Sequence, residues 1–267
     1  IMEVSSQAMK MNRIYGEHYK VGVFTNIDYD HISPTEHASM EDYLGCKVSF
    51  LKQCDNVVLY SDTRYFETIY NEVRDKHVVV YGSKESIEKL MSRDDDFFEK
   101  DTDFASIHNE DLTDHNSYFE LIYGGENRAY NTNLIGDYNV ENIVAAIISS
   151  LLIGIPNDQI RSSIRDVYVP GRLQVYHWKD RTFMIDYAHN YISMYRLYEM
   201  VKKTMKPKSI TVVFGCGGER YKKRREDMGR LAEQYADKVV LTMEDPGFES
   251  CEEICKEIKQ YITKPCY

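Results

Sequence analysis

Acidic and histidine residues follow the first apolar segments of this chain. Glu3 lies in the opening segment 1–4, which we predict to be a strand, and His31 follows the apolar segment that ends at Phe24. Parallel strands place their carboxyl ends at one edge of a sheet, where α/β enzymes build their sites. A carboxylate and an imidazole at two neighbouring strand ends could share a divalent cation. An ordinary polar strand end would have the same pattern.

Lys47 lies in a segment with helical periodicity, in which the apolar residues are Met40, Tyr43, Leu44 and Phe50. A lysine in such a pattern usually extends its alkyl chain over apolar neighbours and keeps its ammonium in water. The pattern alone therefore favours a surface lysine without a chemical role.

Two further candidates follow strands in the second half of the chain. Asp186 and His189 come directly after the apolar residues 183–185, where a carboxylate could bind a ribose hydroxyl or cap the helix predicted at 191–205. The glycine-rich turn at 215–218 would let the backbone approach a ligand closely. The basic run that follows, which consists of Arg220, Lys222, Lys223, Arg224 and Arg225, favours an anion-binding loop, with a solvated helix start as the alternative.

These residues require a scaffold in which strands alternate with helices. Strands are predicted at 1–4, 19–24, 56–61 and 77–82, with helices at 41–54 and 62–74 between them, which indicates a parallel sheet of the α/β class. Residues 118–123 and 128–135 are predicted to form antiparallel strands around a glycine turn. The acidic segment 83–116 is interpreted as a solvated edge or insertion, and Asn139 as the N-cap of a buried helix.

A domain boundary is predicted near 169–172, where Pro170 and Gly171 interrupt the pattern. Residues 1–168 would form one domain, and residues 169–267 a smaller Rossmann-like α/β domain. The second domain is predicted to contain strands at 174–176, 182–185, 210–214 and 238–242 and helices at 191–205, 225–235 and 251–262.

The net charge of −10 argues against nucleic acid as a partner, because binding its phosphates requires a basic face. The six cysteines show no metal-type spacing and suit a reducing cytoplasm. The longest apolar run, 143–155, is too short for a membrane span, so membrane insertion is not expected.

Eight short motifs follow one another in the order typical of one enzyme family. They are Glu3-Val4-Ser5-Ser6, Phe24-Thr25-Asn26 with Asp30-His31, Met40-Glu41-Asp42-Tyr43 with Lys47, Tyr138-Asn139-Val140-Glu141-Asn142, Val169-Pro170-Gly171-Arg172, Asp186-Tyr187-Ala188-His189, Phe214-Gly215-Cys216-Gly217-Gly218 and Thr242-Met243-Glu244-Asp245-Pro246. On these motifs the chain resembles the Mur ligases over nearly its whole length. Within that family it is similar to the UDP-N-acetylmuramyl-tripeptide synthetases, the MurE type.

The resemblance implies an enzyme that uses ATP and Mg²⁺ to phosphorylate the terminal carboxylate of a UDP-MurNAc-dipeptide. The amine of an amino acid would then attack the acyl phosphate. By the same resemblance, Glu3 and His31 would bind Mg²⁺, and Lys47 would be carbamylated to support a second Mg²⁺. This reverses the interpretation of Lys47 as a surface lysine without a chemical role, because an ammonium repels a metal ion and a carbamate attracts it.

The resemblance also implies positions that bind the substrates. They are Ser5 and Arg13 for the UDP-peptide, Asn139 and Asn142 for adenine, Arg172, Asp186 and His189 for the ATP-facing surface, and Arg220 for the α-carboxylate of the added amino acid.

The sequence departs from the family pattern in three places. It contains no G-x-x-G-K-[ST] phosphate loop, which the pattern places upstream of Glu3, and no final G-K-G-H-E segment. We therefore expect a fragment of a longer enzyme, comprising part of a P-loop-type central ATPase domain and most of the C-terminal domain, which does not turn over ATP by itself. The loop 32–37 is two residues longer than usual, which leaves the role of His37 open.

The third departure concerns the amino acid that is added. Diaminopimelate-adding members carry D-N-P-R where this chain has Glu244-Asp245-Pro246-Gly247, so the arginine that would bind a second carboxylate is missing. Glu244, Asp245 and Glu249 would suit a cationic side chain, which predicts lysine or another diamine.

Two alternatives remain open from the sequence. One is a sister ligase of the same superfamily, of the folylpolyglutamate synthase or poly-amino-acid synthetase type, because several motifs recur there. The other is a non-catalytic nucleotide-binding subunit, since the phosphate loop is absent from the sequence.

Overall fold

Buried β-branched residues form the centre of a six-stranded sheet. The computed structural model describes residues 1–29, 31–33, 36–93, 96–219 and 221–267. The strands of this sheet are β1 (Tyr19–Phe24), β2 (Cys54–Tyr60), β3 (His77–Ser83), β4 (Thr102–Leu112), β5 (Ser117–Tyr123) and β6 (Glu126–Thr132).

The strands follow one another in sequence order across the sheet. β1 to β4 pair in parallel, and β4, β5 and β6 pair antiparallel, with β5 and β6 joined by a turn at Gly124 and Gly125. Val78, Val79 and Val80 of β3 are fully buried, as is usual for a parallel strand covered on both faces. The mostly parallel sheet and the glycine turn confirm the sequence interpretation.

Six helices accompany this sheet within the part of the chain that the structure describes. They are α1 (Ser6–Lys10), α2 (Met40–Leu51), α3 (Phe66–Val73), α4 (Lys84–Met91), α5 (Asp137–Leu152) and α6 (Asn157–Arg165). α5 supplies Val140, Val144 and Ile147 to the main hydrophobic cluster, where these side chains are fully buried against strands of the sheet. Residues Ile1–Asp28 and Ser39–Val169 form the first compact unit.

The segment 83–116, which the sequence suggested was a solvated edge or insertion, is part of the fold. Ser83 caps α4 by accepting the Ser86 N–H at 3.1 Å, and β4 pairs with β3 on one side and β5 on the other. The interpretation was wrong because the second half of β4 is polar and largely exposed, and because α4 buries only Ile87. α4 carries Ile87, Leu90 and Met91 at helical spacing, but three apolar residues in an acidic segment gave only a weak signal.

Two local predictions are also corrected. Residues 1–4 do not form a strand, and they lead instead to Ser5, the N-cap of α1. Asn139 is not the N-cap of α5, because Gly136 occupies that position. Asn139 lies in the first turn and donates from Nδ2 to the Ile135 carbonyl at 2.8 Å.

The second unit comprises Tyr29–Ala38 and Pro170–Tyr267. Strands β7 (Gln174–Trp178) and β8 (Arg181–Ile185) form an antiparallel hairpin, and β9 (Thr211–Phe214) and β10 (Lys238–Leu241) form a parallel pair. The helices are α7 (Tyr191–Met200), which continues into a π-helical turn (Val201–Met205), α8 (Lys223–Tyr235) and α9 (Cys251–Lys259). Both units are therefore α/β, as predicted.

A search of the described residues for a helix long and apolar enough to cross a membrane finds none.

Tyr70 provides a test of the first unit. Its hydroxyl is 2.7 Å from Thr102 Oγ1 and accepts the backbone N–H of Glu99 at 2.8 Å. Replacing Tyr70 with Phe should lower the free energy of unfolding by about 1–2 kcal/mol, because two polar groups lose their partner. Denaturant titration would measure the loss. The matched control is Tyr118→Phe, which removes an exposed hydroxyl that donates to Glu120 and should change stability by less than about 0.5 kcal/mol. Equal losses of stability for the two substitutions would contradict the hydrogen bonds assigned to the Tyr70 hydroxyl.

Candidate active site

Helices α1 and α2 are joined by an ion pair near the start of the chain. Lys10 Nζ lies 2.6 Å from Asp42 Oδ2. The Ser5 hydroxyl caps α1 by accepting the Ala8 N–H at 3.1 Å, so this predicted UDP-peptide ligand also defines where the helix begins. Glu3 is exposed two residues earlier. The ion pair therefore connects the segment that carries Glu3 with the helix that carries Lys47.

Arg13, the other predicted UDP-peptide ligand, is exposed beyond the end of α1. Its Nη2 lies 3.3 Å from Met11 Sδ. No ionic partner of Arg13 is found among the residues that the structure describes.

Lys47 is held against an aromatic ring of its own helix. Its Nζ lies 5.2 Å from the centroid of the Tyr43 ring, and the Tyr43 side chain is buried. A cation over a ring face is attracted by the quadrupole of the ring. Lys47 is therefore half-buried and oriented, which a lysine that simply extends into water is not. Sequence reasoning did not identify Tyr43 as this partner, although the i,i+4 spacing was the signal for it.

His31 has a carboxylate partner within its own loop. Its Nδ1 lies 3.0 Å from Glu36 Oε1, and the loop is closed by the His37 N–H, which donates to the His31 carbonyl at 3.1 Å. A carboxylate on Nδ1 fixes the ring and makes Nε2 the nitrogen suited to bind a metal, an arrangement common around metal-binding histidines. The contact with Glu36 therefore suits His31 to bind a divalent cation through Nε2.

Polar contacts link the loops that follow β1, β2 and β3. Arg64 Nη1 lies 2.7 Å from Asp28 Oδ1, which connects the loop after β2 with the loop after β1. The Ser86 hydroxyl lies 2.8 Å from Asp62 Oδ2, which connects the start of α4 with the loop after β2. Sequence reasoning identified none of these contacts.

The two predicted adenine ligands lie one turn apart on α5 but in different surroundings. Asn139 is 7% exposed, and its amide nitrogen is engaged by the Ile135 carbonyl. Asn142 is exposed.

In the second unit, two predicted ATP-facing residues contact one tyrosine that sequence reasoning did not identify as a partner. The Arg172 guanidinium lies 4.7 Å from the centroid of the Tyr187 ring, the ring of His189 lies 5.2 Å from it, and His189 Nδ1 is 2.9 Å from the Tyr187 carbonyl oxygen. Asp186 accepts the backbone N–H groups of Leu173 and Ala188 at 2.9 and 2.8 Å.

The helix cap that was the alternative role for Asp186 is supplied by Asn190, whose side chain accepts the Ser193 N–H at 3.1 Å. Asp186 therefore connects the start of β7 with the end of β8 instead of starting α7.

The glycine turn after β9 packs against the loop after β10. A Cβ atom on Gly218 would lie 1.8 Å from the Pro246 carbonyl oxygen, and one on Gly215 would lie 2.4 Å from the Thr242 carbonyl oxygen. The Gly218 N–H donates to the Asp245 carbonyl at 3.0 Å. In this structure the glycines allow close contact with the loop 242–247. We call this loop the selector loop, because it carries Glu244 and Asp245, which are predicted to select the added amino acid.

The acidic residues of that segment differ in their surroundings. Glu244 is half-buried, Asp245 is exposed, and Glu249 accepts the Glu219 N–H at 2.6 Å and pairs with Arg225 at 2.9 Å. Burial raises the pKa of the neighbouring Cys216 thiol to about 12, so this thiol stays protonated and is not a nucleophile at neutral pH.

The basic run does not form one surface patch. Arg224 and Arg225 are 5% and 2% exposed, and Arg225 forms ion pairs with two carboxylates. The interpretation of the whole run as an anion-binding loop is therefore wrong, since local sequence could not reveal carboxylates 24 and 32 residues away. Arg220 lies outside the described residues.

Comparison with known proteins matches both halves of the chain to domain models of one family. The model of the Mur ligase middle domain matches residues 1–150, and the model of the Mur ligase glutamate ligase domain matches residues 171–266.

Relatives with known names match along nearly the whole chain. A UDP-N-acetylmuramyl-tripeptide synthetase of Limosilactobacillus reuteri is 35% identical over 98% of this chain and 52% of its own length. A UDP-N-acetylmuramoyl-L-alanyl-D-glutamate–L-lysine ligase of Enterococcus faecalis is 35% identical over 99% of this chain and 50% of its own length. The chain thus spans about half the length of these relatives.

A solved structure of a UDP-N-acetylmuramoyl-L-alanyl-D-glutamate–2,6-diaminopimelate ligase shares the fold. Its TM-score is 0.59 at 24% identity, and the match covers 99% of this chain and 52% of that one.

Gly218 provides a test of the packed turn. Gly218→Ala should destabilise the second unit by about 2–3 kcal/mol, because the new Cβ would overlap the Pro246 carbonyl. Calorimetry of the unfolding transition would measure this. The control is Gly45→Ala in α2, where a Cβ meets nothing within 4 Å and should add about 0.5–1 kcal/mol of helix stability. An unchanged transition for Gly218→Ala would refute the close approach.

Proposed function

Because the chain belongs to the Mur ligase family, we propose that it is the central and C-terminal part of an ATP-dependent ligase of peptidoglycan precursor synthesis. The enzyme would add the third amino acid, L-lysine or another diamine, to UDP-MurNAc-L-Ala-D-Glu. The observation that carries the proposal is the 35% identity over 99% of the chain to a relative named as an L-lysine ligase.

We place the boundary between the two domains at residues 168 and 169. Two observations support it: contacts divide the chain between Val169 and Pro170, with Tyr29–Ala38 grouped with the second unit, and the two family models leave residues 151–170 unmatched.

In the proposed reaction, a carboxylate oxygen of the UDP-MurNAc-peptide attacks the γ-phosphorus of ATP, and ADP leaves. The amine of the incoming amino acid attacks the carbonyl carbon of the acyl phosphate, phosphate leaves, and the nitrogen loses its proton to give the amide. Bound Mg²⁺ would neutralise charge on the phosphates. Glu3 and His31 would hold one Mg²⁺, and carbamylated Lys47 would support a second. The Glu36 carboxylate on Nδ1 of His31 supports this role for the imidazole.

Lys47 requires a chemical change for this role. An ammonium would repel a divalent cation, whereas a carbamate on Nζ provides oxygen ligands of the kind that Mg²⁺ prefers. The observation that supports an ordered Lys47 is its position over the Tyr43 ring.

The selector loop favours a cationic amino acid. Glu244 and Asp245 would attract the side-chain ammonium of lysine and repel the second carboxylate of diaminopimelate. Gly247 adopts φ +57°, a left-handed conformation that disfavours the arginine found here in diaminopimelate-adding members.

The remaining substrate contacts follow the family pattern. Ser5 and Arg13 would bind the UDP-peptide, Asn139 and Asn142 the adenine, Arg172, Asp186 and His189 the ATP, and Arg220 the α-carboxylate of the amino acid. The contacts of Arg172 and His189 with Tyr187, the residue next to Asp186, support their common role. We place the enzyme in the cytoplasm, where its six cysteine thiols would remain reduced.

The amino-acid preference tests this proposal. The full-length enzyme, offered lysine, ornithine and diaminopimelate in parallel with UDP-MurNAc-L-Ala-D-Glu and ATP, should prefer a diamine over diaminopimelate by at least about tenfold in kcat/KM, the effect of one favourable charge contact. Product formation would be followed by mass spectrometry. A clear preference for diaminopimelate refutes the selector assignment, and no ligation with any of them refutes the proposed function.

Lys47 offers a second test. Lys47→Arg keeps the positive charge but cannot be carbamylated, so kcat should fall by at least about 100-fold, the order expected when a charge-stabilising group is lost. The matched control is Lys52→Arg at the end of the same helix, where the ammonium pairs with Glu72. Full activity of Lys47→Arg would exclude the carbamate.

A further inference from the structure

Arg225 is a buried cation that lies between two acidic residues of the second unit. It is 2% exposed, and it extends from α8 to contact Glu257 Oε2 with Nη1 at 2.6 Å and Glu249 Oε2 with Nη2 at 2.9 Å. A buried guanidinium requires such partners, because an unpaired charge in the protein interior costs several kcal/mol. Glu257 lies on α9 and Glu249 lies just before it, so Arg225 connects α8 with both.

The second oxygen of Glu249 contacts the backbone of the glycine turn. Glu249 Oε1 accepts the Glu219 N–H at 2.6 Å. Glu219 adopts φ +54°, in the left-handed region that a residue with a side chain adopts only with support. A charge-assisted hydrogen bond from a carboxylate provides that support.

The turn is thereby attached to the selector loop at two points. At one end the Gly218 N–H donates to the Asp245 carbonyl, and at the other the Glu219 N–H donates to Glu249. The Glu249 carboxylate is itself held by Arg225. The contacts from Arg225 to Glu249 and from Glu249 to Glu219 therefore fix the turn on the loop that carries Glu244 and Asp245.

The groups around Glu249 balance the charge of its carboxylate. The Glu219 N–H, with Arg225 as a further cause, holds the pKa of the Glu249 carboxyl below its ordinary value. Lys222 Nζ approaches the same carboxylate to 3.7 Å. An incoming ammonium would have to compete for this carboxylate with a buried guanidinium that is already in place.

We propose that Glu249 and Arg225 are positioning residues of the amino-acid site, which hold the 215–219 turn against the 242–247 loop, and that Glu249 does not bind the side chain of the added amino acid. The location of that site rests on the proposed function, whereas the contacts of Arg225, Glu249 and Glu219 do not.

The contacts can be tested without any substrate. In the ¹⁵N-labelled chain, the Glu219 amide should shift as Glu249 titrates, with a midpoint below the ordinary glutamate value of about 4.3. The hydrogen bond is strongest when Glu249 is ionised, so it should persist above that midpoint and weaken as the pH falls through it. The charged groups that face this carboxylate are Arg225 and Lys222, and Glu257 on α9 pairs with Arg225. In Glu249→Gln the low-pH shift should vanish, and a shift that persists unchanged would overturn the assignment of the Glu219–Glu249 hydrogen bond.

Kinetics of the full-length enzyme would separate positioning from binding. Glu249→Ala should raise the KM for lysine about 10- to 100-fold while the KM for ATP changes less than about twofold, since a hydrogen bond to a charged group is lost only at the amino-acid site. Glu249→Gln retains an oxygen that can accept the Glu219 N–H but places an NH2 group against Arg225, so it should restore only part of the loss and bring the KM for lysine to within about tenfold of the parent value.

The matched control is Glu252→Gln on α9, which removes an exposed carboxylate that pairs with Lys256 and should leave the KM for lysine unchanged. Equal losses for Glu249→Gln and Glu249→Ala would mean that the hydrogen bond from Glu219 to Glu249 positions nothing, and no loss for Glu249→Ala would mean that Glu249 has no positioning role. Either result overturns the proposal. If the parent enzyme ligates no amino acid, the proposed function fails, while the amide titration still decides whether the contacts exist.

Discussion

Parallel strand pairing is the constraint on which both units depend. In the first unit the parallel register aligns Phe24 of β1 with Leu59 of β2, so the loops that follow these strands leave the sheet at the same edge. In the second unit, Leu241 of β10 pairs with Phe214 of β9, and the loops that follow them also meet. The close approach of Gly218 to Pro246 is a direct result of this register. Segments 28 residues apart in sequence can then form one surface.

Much of the scaffold could be predicted because the strands of a parallel sheet are buried on both faces. The runs in β2 and β3 are apolar over their whole buried length, and no other structure explains them as simply. β4 was missed for the opposite reason. β4 pairs with β3 over six residues, yet the half of the strand from His108 onwards is polar and largely exposed. Because of this polar half, the strand was not recognised from the sequence. Tertiary pairing decided its structure, and local sequence does not record pairing.

The candidate site, like the scaffold, could be predicted only in part. Residue types indicated Glu3, His31, Asp186 and His189, because carboxylates and imidazoles can bind metal ions and nucleotides. Their partners were not predictable from residue type, because each contact depends on how the loop folds or on a more distant segment. Tyr187 is one example, because only the folded chain places Arg172 over its face.

The basic run shows why charge counted along a sequence is a poor guide to charge at a site. Arg225 is one of several consecutive cations, but it faces inward, and its charge is balanced by Glu249 and Glu257. Because they are paired with each other, Arg225 cannot bind an anion and Glu249 cannot bind the cationic side chain of a substrate. Glu249, predicted from the sequence to suit a cationic side chain together with Glu244 and Asp245, is neutralised by a buried guanidinium. The packing of α8 against α9 therefore determines the charge that Glu249 presents to its surroundings.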